Sequence, residues 1–228
     1  MTRTSKASAA KPASRSSKRR WAEHALSPEE IVESKRLALV KAAGRAFREK
    51  GFHHTSLDDI AAALNVTKPT LYSYVKGKQD LLYHCHKHAQ DLGDMAFEHG
   101  VQGRDGLDKL RRTLLRYITL LTDTFSSYSV LSDLSDLAPQ HRVMIQSRRR
   151  KFDRQFRAFV TEGIEDGSIR TCDPKMAVFW FMGAINAIPR WFEPNRGYSG
   201  AEVAEIYLDL LARGLARNQS GSSYSGLR

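Results

Sequence analysis

The stretch that most constrains the fold runs from Thr55 to Leu82, TSLDDIAAALNVTKPTLYSYVKGKQDLL. Apolar residues recur in its first part at the spacing of one helical face, namely Leu57, Ile60, Ala61 and Leu64. Ser56 followed by Asp59 gives this helix a capping-box start. Asn65 ends the helix, because Asn tolerates the left-handed backbone of a tight turn. The segment therefore predicts a short helix followed at once by a sharp turn.

A second helix is predicted directly after the turn, with Thr67 as its cap and Pro69 in its first turn. At about 100° per residue, Leu71 and Val75 share its inner face. The outward residues are Pro69, Thr70, Tyr72 and Ser73, and Tyr74 flanks the apolar side. Two short helices with this turn and these outward residues are typical of a helix-turn-helix that inserts into the DNA major groove. The alternative is an αα-corner whose polar residues are only solvated, with Tyr72 and Tyr74 packed in a core.

The same stretch closely resembles the DNA-binding segment of the tetracycline-repressor (TetR) family of bacterial transcription regulators. The match begins with a helix across SKRLALVKAAGRAFREKGFHHTS and covers roughly residues 33–93, with TLYSYVKGKQDLL as its most specific run. The resemblance implies a set of groove-facing residues: Lys68, Pro69, Thr70 and Tyr72, with Ser73 beside them. It implies phosphate contacts from a second set: Tyr74, Lys78 and the backbone near Ser56. The partner is then a double-stranded DNA operator.

The distribution of charge agrees with a DNA-contacting N-terminal part. The chain has 228 residues and a formal net charge of +11. Residues 1–80 hold 16 Lys and Arg against 8 Asp and Glu, whereas residues 81–228 hold 20 against 17. The positive surplus therefore lies with the helix-turn-helix, as phosphate contact requires.

Four segments are predicted along the chain. Residues 1–32 are expected to form a disordered basic arm, in which Arg15 to Arg20 contact phosphates or the minor groove or are simply solvated. Residues 33–93 form the DNA-binding domain, and its first helix runs from about Glu33 to Lys50, where Gly51 stops it. Residues 94–217 form a helical ligand-binding and dimerisation domain, and residues 218–228 a flexible tail.

The fold is predicted to be all-α, with a three-helix N-terminal unit joined to a larger helical bundle. Apolar stripes mark two helices after Arg104: one through Leu107, Leu110, Leu114, Ile118 and Leu121, the other through Phe152, Phe156, Phe159 and Val160. Asp173 and Pro174 begin a further helix that reaches about Phe192 and is apolar nearly all round. The last helix is predicted at about 201–217.

A homodimer is expected for two reasons. The helix at 174–192 has no polar face and should be buried on every side. The family resemblance implies that the last two helices pair with their copies as a four-helix bundle. Two recognition helices would then reach successive major grooves about 34 Å apart, which requires a palindromic operator.

The family resemblance also implies a small-molecule effector that binds among the later helices. The candidate pocket residues are Leu121, Phe156, Phe179, Trp180, Met182, Asn186 and Arg190. Asn186 and Arg190 are polar groups within an apolar helix and need partners. The segment GSIRTCDPKMAVFWFMGAINAIPRW is similar to regulators of fatty-acid and steroid breakdown, whose ligands are acyl-CoA thioesters. The basic run Arg148 to Lys151 is then a candidate for the CoA phosphates, or a solvated helix face.

Two other function classes are weaker. A metal-responsive regulator would use His84, Cys85 and His88 in the run YHCHKH, but two ligands on one helical face do not close a site. An enzyme is not indicated, because the chain has no G-x-S-x-G, Walker A loop, dinucleotide fingerprint or H-E-x-x-H. No cofactor and no membrane partner are expected. The two cysteines form no C-x-x-C pair, which favours the reducing cytoplasm.

Overall fold

The computed structural model of the chain describes residues 27–123, 134–194 and 196–217. Within these ranges the chain is helical, and the helices are α1 (Pro28–Lys50), α2 (Leu57–Ala63), α3 (Lys68–Tyr72), α4 (Lys78–Gly100), α5 (Gly106–Asp123), α6 (Pro139–Glu165), α7 (Pro174–Trp191) and α8 (Gly200–Leu215). The one extended pairing in the described residues is an isolated antiparallel bridge between Ile169 and Ala216. The all-α prediction is confirmed.

The first helix begins earlier than predicted. It starts at Pro28 rather than near Glu33, so residues 28–32 are helical and do not belong to a disordered arm. The reason is a capping box that the prediction overlooked: Ser27 N–H donates to Glu30 Oε2 (2.7 Å) and Glu30 N–H donates to Ser27 Oγ (3.1 Å). The rest of the predicted arm, including Arg15 to Arg20, and the tail from residue 218 lie outside the described residues.

Local chemistry shapes the helix-turn-helix as the sequence predicts. Gly51 follows α1 with φ +79°, and Asn65 follows α2 with φ +52°. Ser56 and Asp59 form the predicted capping box of α2. Thr67 does precede α3, but its hydroxyl lies 2.8 Å from that of Thr70 and makes no capping bond to the backbone. These turns set the angle between α2 and α3.

A first core joins α1, α2, α3 and the start of α4. Its members include the predicted Phe47, Ile60 and Leu71, all less than 5 % exposed. Leu137, which precedes α6, and Ile145, in the second turn of α6, also belong to this cluster, which the sequence did not predict. As expected, α4 begins at Lys78, but it continues unbroken to Gly100, past the domain boundary predicted at residue 93.

A second core is formed by the later part of α4 with α5 to α8. The predicted stripes on α5 and α6 both enter it. In the single chain α7 is not buried on every side, so its surplus apolar surface is not filled within one chain. Val178, Phe181 and Ile185 of α7 are buried, whereas its opposite side leaves three large apolar residues more than half exposed: Met176, Phe179 and Trp180. The buried side of α7 therefore faces the second core, and the opposite side is largely open.

The bounds of the last two helices are close to the predicted ones. Asp173 caps α7, since its Oδ1 accepts from the backbone N–H groups of Lys175 (2.7 Å) and Met176 (3.1 Å). The last helix ends at Leu215 rather than Arg217, and it starts from a capping box between Ser199 and Glu202. No helix among the described residues has the length and apolar character that a bilayer span needs.

Candidate DNA-binding face and effector cavity

The helix α3 turns one side into the first core and the other to solvent. Leu71 is 2 % exposed and anchors the helix. Tyr72 is 53 % exposed, and the neighbouring outward residues are also exposed, namely Lys68, Pro69, Thr70 and Ser73. Core packing is therefore excluded for Tyr72 in this structure, and the predicted groove-facing residues share one open surface.

Hydrogen bonds order this outer side of α3. The hydroxyls of Thr67 and Thr70 lie 2.8 Å apart, and Ser73 Oγ donates to the carbonyl oxygen of Thr70 at 2.6 Å. Lys68 Nζ lies 2.8 Å from Asp58 Oδ2, and this contact raises the pKa of Lys68. An ammonium group has three N–H donors, so Lys68 could contact a guanine base while it keeps its bond to Asp58.

The residues predicted to contact phosphate are already engaged within the chain. Ser56 N–H donates to Asp59 Oδ2 at 2.9 Å, so that backbone group is not open to a phosphate. The bond from Lys50 and the bonds from Ser56 hold the pKa of the Asp59 carboxyl well below its usual range. Tyr74 is half-buried and packs against the first core.

Lys78, which was predicted to contact phosphate, instead binds backbone carbonyl groups of its own chain. Its ammonium group donates to three backbone carbonyl oxygens, those of Phe52 (2.7 Å), Thr55 (2.9 Å) and His53 (3.2 Å). It also lies 4.4 Å from the centre of the Phe52 ring. An ammonium group has three donors, so a phosphate contact would have to replace one of these bonds. Lys78 therefore stabilises the loop between α1 and α2 through these hydrogen bonds.

A cavity of about 480 Å³ lies between α4, α5, α6 and α7. Six of the seven predicted pocket residues line it: Leu121, Phe156, Phe179, Met182, Asn186 and Arg190. Trp180 does not, because it faces α8, where its ring packs over Gly214. Asn186 and Arg190 are exposed on the outer side of α7. The sequence suggested that they are interior polar groups in need of partners, but their exposure shows that they are not.

The cavity wall also carries polar residues that the prediction missed. They include Gln90 on α4 and Tyr117 on α5, and beside them lies Arg149 on α6, which belongs to the basic run considered for CoA phosphates. Burial raises the pKa of Tyr117 to about 12, although the nearby charge of Arg149 opposes that shift. Burial likewise lowers the pKa of Arg149. Gln90 had a sequence signal, because it is a polar residue on the apolar inner face of α4.

The residues of the basic run at 148–151 have two different roles. Arg148 forms ion pairs across to α4, with Asp91 at 2.9 Å and with Asp94. Lys151 lies 3.3 Å from Asp94. These two residues join α6 to α4, so they are not open receptors for CoA phosphates. Of this run, Arg149 is the residue that lines the cavity.

The His- and Cys-containing run on α4 does not form a metal centre in the described part of the chain. There, no three or more His, Cys, Asp or Glu side chains converge in a way that could hold an ion. His84 lies near Asp80, at 3.8 Å. Cys85 is buried against the Val40 carbonyl oxygen, and burial raises the pKa of its thiol to about 12. Such a thiol is a poor metal ligand at neutral pH.

An N-terminal helix-turn-helix followed by helices that surround a partly open cavity is the architecture of a ligand-responsive DNA-binding regulator. Residues 39–85 match the family described as "Bacterial regulatory proteins, tetR family". Residues 103–215 match the family described as "Tetracyclin repressor-like, C-terminal domain". The chain belongs to the TetR family of transcriptional regulators. Its relatives are regulators and not enzymes.

The alignments with individual relatives have low sequence identity, but they extend over most of each relative's length. The transcriptional repressor KstR2 of Mycolicibacterium smegmatis is 24% identical over 82% of this chain and 93% of its own. The crystal structure of PfmR from Thermus thermophilus has a TM-score of 0.71 and 29% identity, covering 78% of this chain and 99% of its own. The structure of AibR in complex with isovaleryl coenzyme A and operator DNA has a TM-score of 0.66 and 25% identity, covering 77% and 97%.

Proposed function

We propose that the protein is a cytoplasmic repressor that binds a palindromic operator as a homodimer through α3 and is released by a lipophilic effector. The observation that carries the DNA-binding part is the outer side of α3. There Thr70 and Tyr72 are exposed together, while Leu71 fixes the helix to the core. Hydroxyls can bond bases or phosphates, and Thr and Pro groups can pack on thymine methyls. The similarity to KstR2, a named repressor, supports repression.

The exposed side of α7 supports the dimer. Met176, Phe179 and Trp180 are each more than half exposed, and Leu210 of α8 is 57 % exposed. Contiguous apolar surface on a soluble protein marks an interaction site. A second copy would cover these helices and would set the two α3 helices about one turn of DNA apart.

The cavity supports an acyl-CoA as the effector. Its wall is largely apolar, with the aromatic rings of Phe152 and Phe156, and small-ligand sites combine such walls with a few polar groups. Arg149 offers positive charge inside, and Arg190 offers it on the exposed side of α7. AibR, which shares this fold, is described in complex with isovaleryl coenzyme A.

Substitutions on α3 test the DNA-binding proposal. Thr70→Ala and Tyr72→Ala should each abolish retention of a selected operator fragment in a gel-shift assay, because each removes a groove-facing group. Their circular dichroism and thermal unfolding should stay unchanged, since both residues are exposed. Thr161→Ala, which removes an exposed Thr from α6, is the matched control and should bind normally. Full retention by both α3 variants would exclude this helix as the reader of the operator.

Release of the operator tests the effector proposal. Short-, medium- and long-chain acyl-CoAs are titrated into the protein–operator complex, each beside its free acid. Release by a CoA ester but not by the free acid is expected, because CoA adds phosphates for the basic groups around the cavity. Insensitivity to every CoA ester would assign the cavity to another lipophile and leave the DNA-binding proposal intact.

A further inference from the structure

Several polar side chains of the cavity wall cannot bond a ligand, because they are sealed or already engaged. The ring nitrogens of His86 and the Oε1 atom of Gln90 have almost no accessible surface, so a molecule in the cavity does not reach them. The other end of the Gln90 amide donates to the carbonyl oxygen of Ile145 at 2.9 Å. Arg157 binds both carboxylate oxygens of Asp153, with Nη2 at 2.6 Å and Nε at 3.1 Å. These groups serve the packing of the protein itself.

Tyr117 of α5 differs from the other polar residues of the wall. Arg149 already has an interaction within the chain. Asn186 and Arg190 lie on the exposed side of α7, so they border the opening of the cavity rather than its interior. Tyr117 lines the cavity and is partly accessible. Within the ranges that the structure describes, no hydrogen bond involves its hydroxyl. It is therefore the interior polar group left to contact a ligand.

The Tyr117 hydroxyl can act as a hydrogen-bond donor inside the cavity. Its neighbours on α5, Ile118 and Leu121, are buried in the second core. Burial raises the pKa of Tyr117 to about 12, so the hydroxyl keeps its proton at neutral pH. Because the residue is this deeply placed and yet partly accessible, its open surface faces the cavity. A shielded hydroxyl without a partner is costly, so this part of the wall favours a ligand that brings an acceptor.

We propose that the Tyr117 hydroxyl donates a hydrogen bond to the thioester carbonyl oxygen of an acyl-CoA effector and so fixes where the acyl chain begins. This inference rests on the proposed function of the cavity as an acyl-CoA site. The carbonyl oxygen is the acceptor that every acyl-CoA carries at the start of its hydrocarbon chain. The chain would then lie against Phe152 and Phe156, and the CoA part would extend toward Asn186 and Arg190 at the opening.

The first test compares octanoyl-CoA with S-octyl-CoA, a thioether that lacks the carbonyl oxygen, by isothermal titration calorimetry on the full chain. The wild-type protein should bind the thioester about fivefold more tightly, the effect of one hydrogen bond. Tyr117→Phe keeps the ring without the donor, and it should bind the thioester no better than the thioether. Tyr83→Phe removes the hydroxyl of a half-buried tyrosine outside the cavity and should keep the preference.

The second test is spectroscopic and separates a direct bond from a merely structural role of Tyr117. A hydrogen bond weakens the carbonyl bond, so the carbonyl infrared band of bound octanoyl-CoA, labelled with carbon-13 at that carbon, should lie at lower wavenumber in the wild-type protein than in Tyr117→Phe. Tyr117→Met, which also lacks the donor, takes the place of Tyr117→Phe if that variant does not fold.

The possible failures are distinguishable. Equal binding of the thioester and the thioether by the wild-type protein would overturn the Tyr117 inference and leave the acyl-CoA proposal standing. A carbonyl band that is the same in the wild-type protein and in Tyr117→Phe would do so too, because the carbonyl would then be bound elsewhere. Binding of neither compound would remove both proposals.

Discussion

At the scale of single residues, Lys78 shows how one side chain can hold the DNA-binding unit in shape. The loop between α1 and α2 turns three carbonyl oxygens toward one point, and Lys78 donates to all three. Hydrogen bonds that involve a charged group are stronger than neutral ones. The position of α2, and with it the position of α3, therefore depends on this ammonium group.

Lys78→Met should destabilise the protein rather than only weaken DNA binding. Loss of these bonds should lower the free energy of unfolding by about 2 kcal/mol, the scale of hydrogen bonds to charged groups. Urea denaturation measures the difference. Lys76→Met removes the same charge from an exposed neighbour and should leave stability unchanged. If both variants unfold at the same urea concentration while only Lys78→Met loses operator binding, Lys78 is a phosphate contact after all.

The sequence separation between a side chain and its partners decides whether the contact could be predicted from the sequence. The Ser56–Asp59 capping box and the left-handed Asn65 were predictable, because each depends on neighbours within three residues. The partners of Lys78 and Gln90 were not. Lys78 bonds a carbonyl 26 residues away and Gln90 one 55 residues away, and no local pattern encodes such distances. Arg148 was likewise misread as an open cation, because its carboxylate partners lie on another helix.

At the scale of elements, α7 carries large apolar residues on two sides. One side is buried in the second core, and the other is largely exposed. The sequence predicts a helix that is apolar nearly all round, and its outer side does carry large apolar residues, although Asn186 and Arg190 are exposed there too. It could not show that one side would remain open in a single chain, because that depends on how many neighbouring helices the fold supplies. The open side of α7 and the exposed Ile206 and Leu210 of α8 are the surfaces that the proposed dimer would cover.

Leu210→Glu should convert the dimer to a monomer, because it places a charge in the middle of the proposed interface. Sedimentation equilibrium should show the change in mass, and the monomer should lose high-affinity operator binding. Val143→Glu is the matched control, since Val143 is 62 % exposed on α6 and lies outside the proposed interface. A Leu210→Glu variant with unchanged mass would place the dimer contact elsewhere.

At the scale of the whole molecule, the cavity and the first core share a residue. Ile145 lines the cavity, belongs to the core that supports α3, and accepts the hydrogen bond of Gln90. One turn further along α6, Arg148 is paired with Asp91 and Asp94 of α4. A ligand that moves α6 would therefore act on α4 and the DNA-binding core through direct contacts, which is a physical basis for coupling between the two sites.

Arg148→Gln should uncouple the two sites while leaving each of them intact. With octanoyl-CoA as the effector, the loss of operator affinity on ligand binding should shrink by about 1 kcal/mol, the usual scale for residues that carry coupling. Fluorescence anisotropy with and without effector measures it. Arg112→Gln breaks an ion pair confined to α5 and should change nothing. Undiminished coupling in Arg148→Gln would exclude this α4–α6 contact as the route.

The central claim is that two copies of α3, held at a fixed distance, read a specific DNA sequence. Selection of bound fragments from a random double-stranded pool, using the purified full chain, tests it most directly. The proposed dimer predicts enrichment of an inverted repeat whose half-site centres lie about 10 base pairs apart. Recovery of fragments without any common sequence, held only by a salt-sensitive attraction to the basic surface, would contradict it.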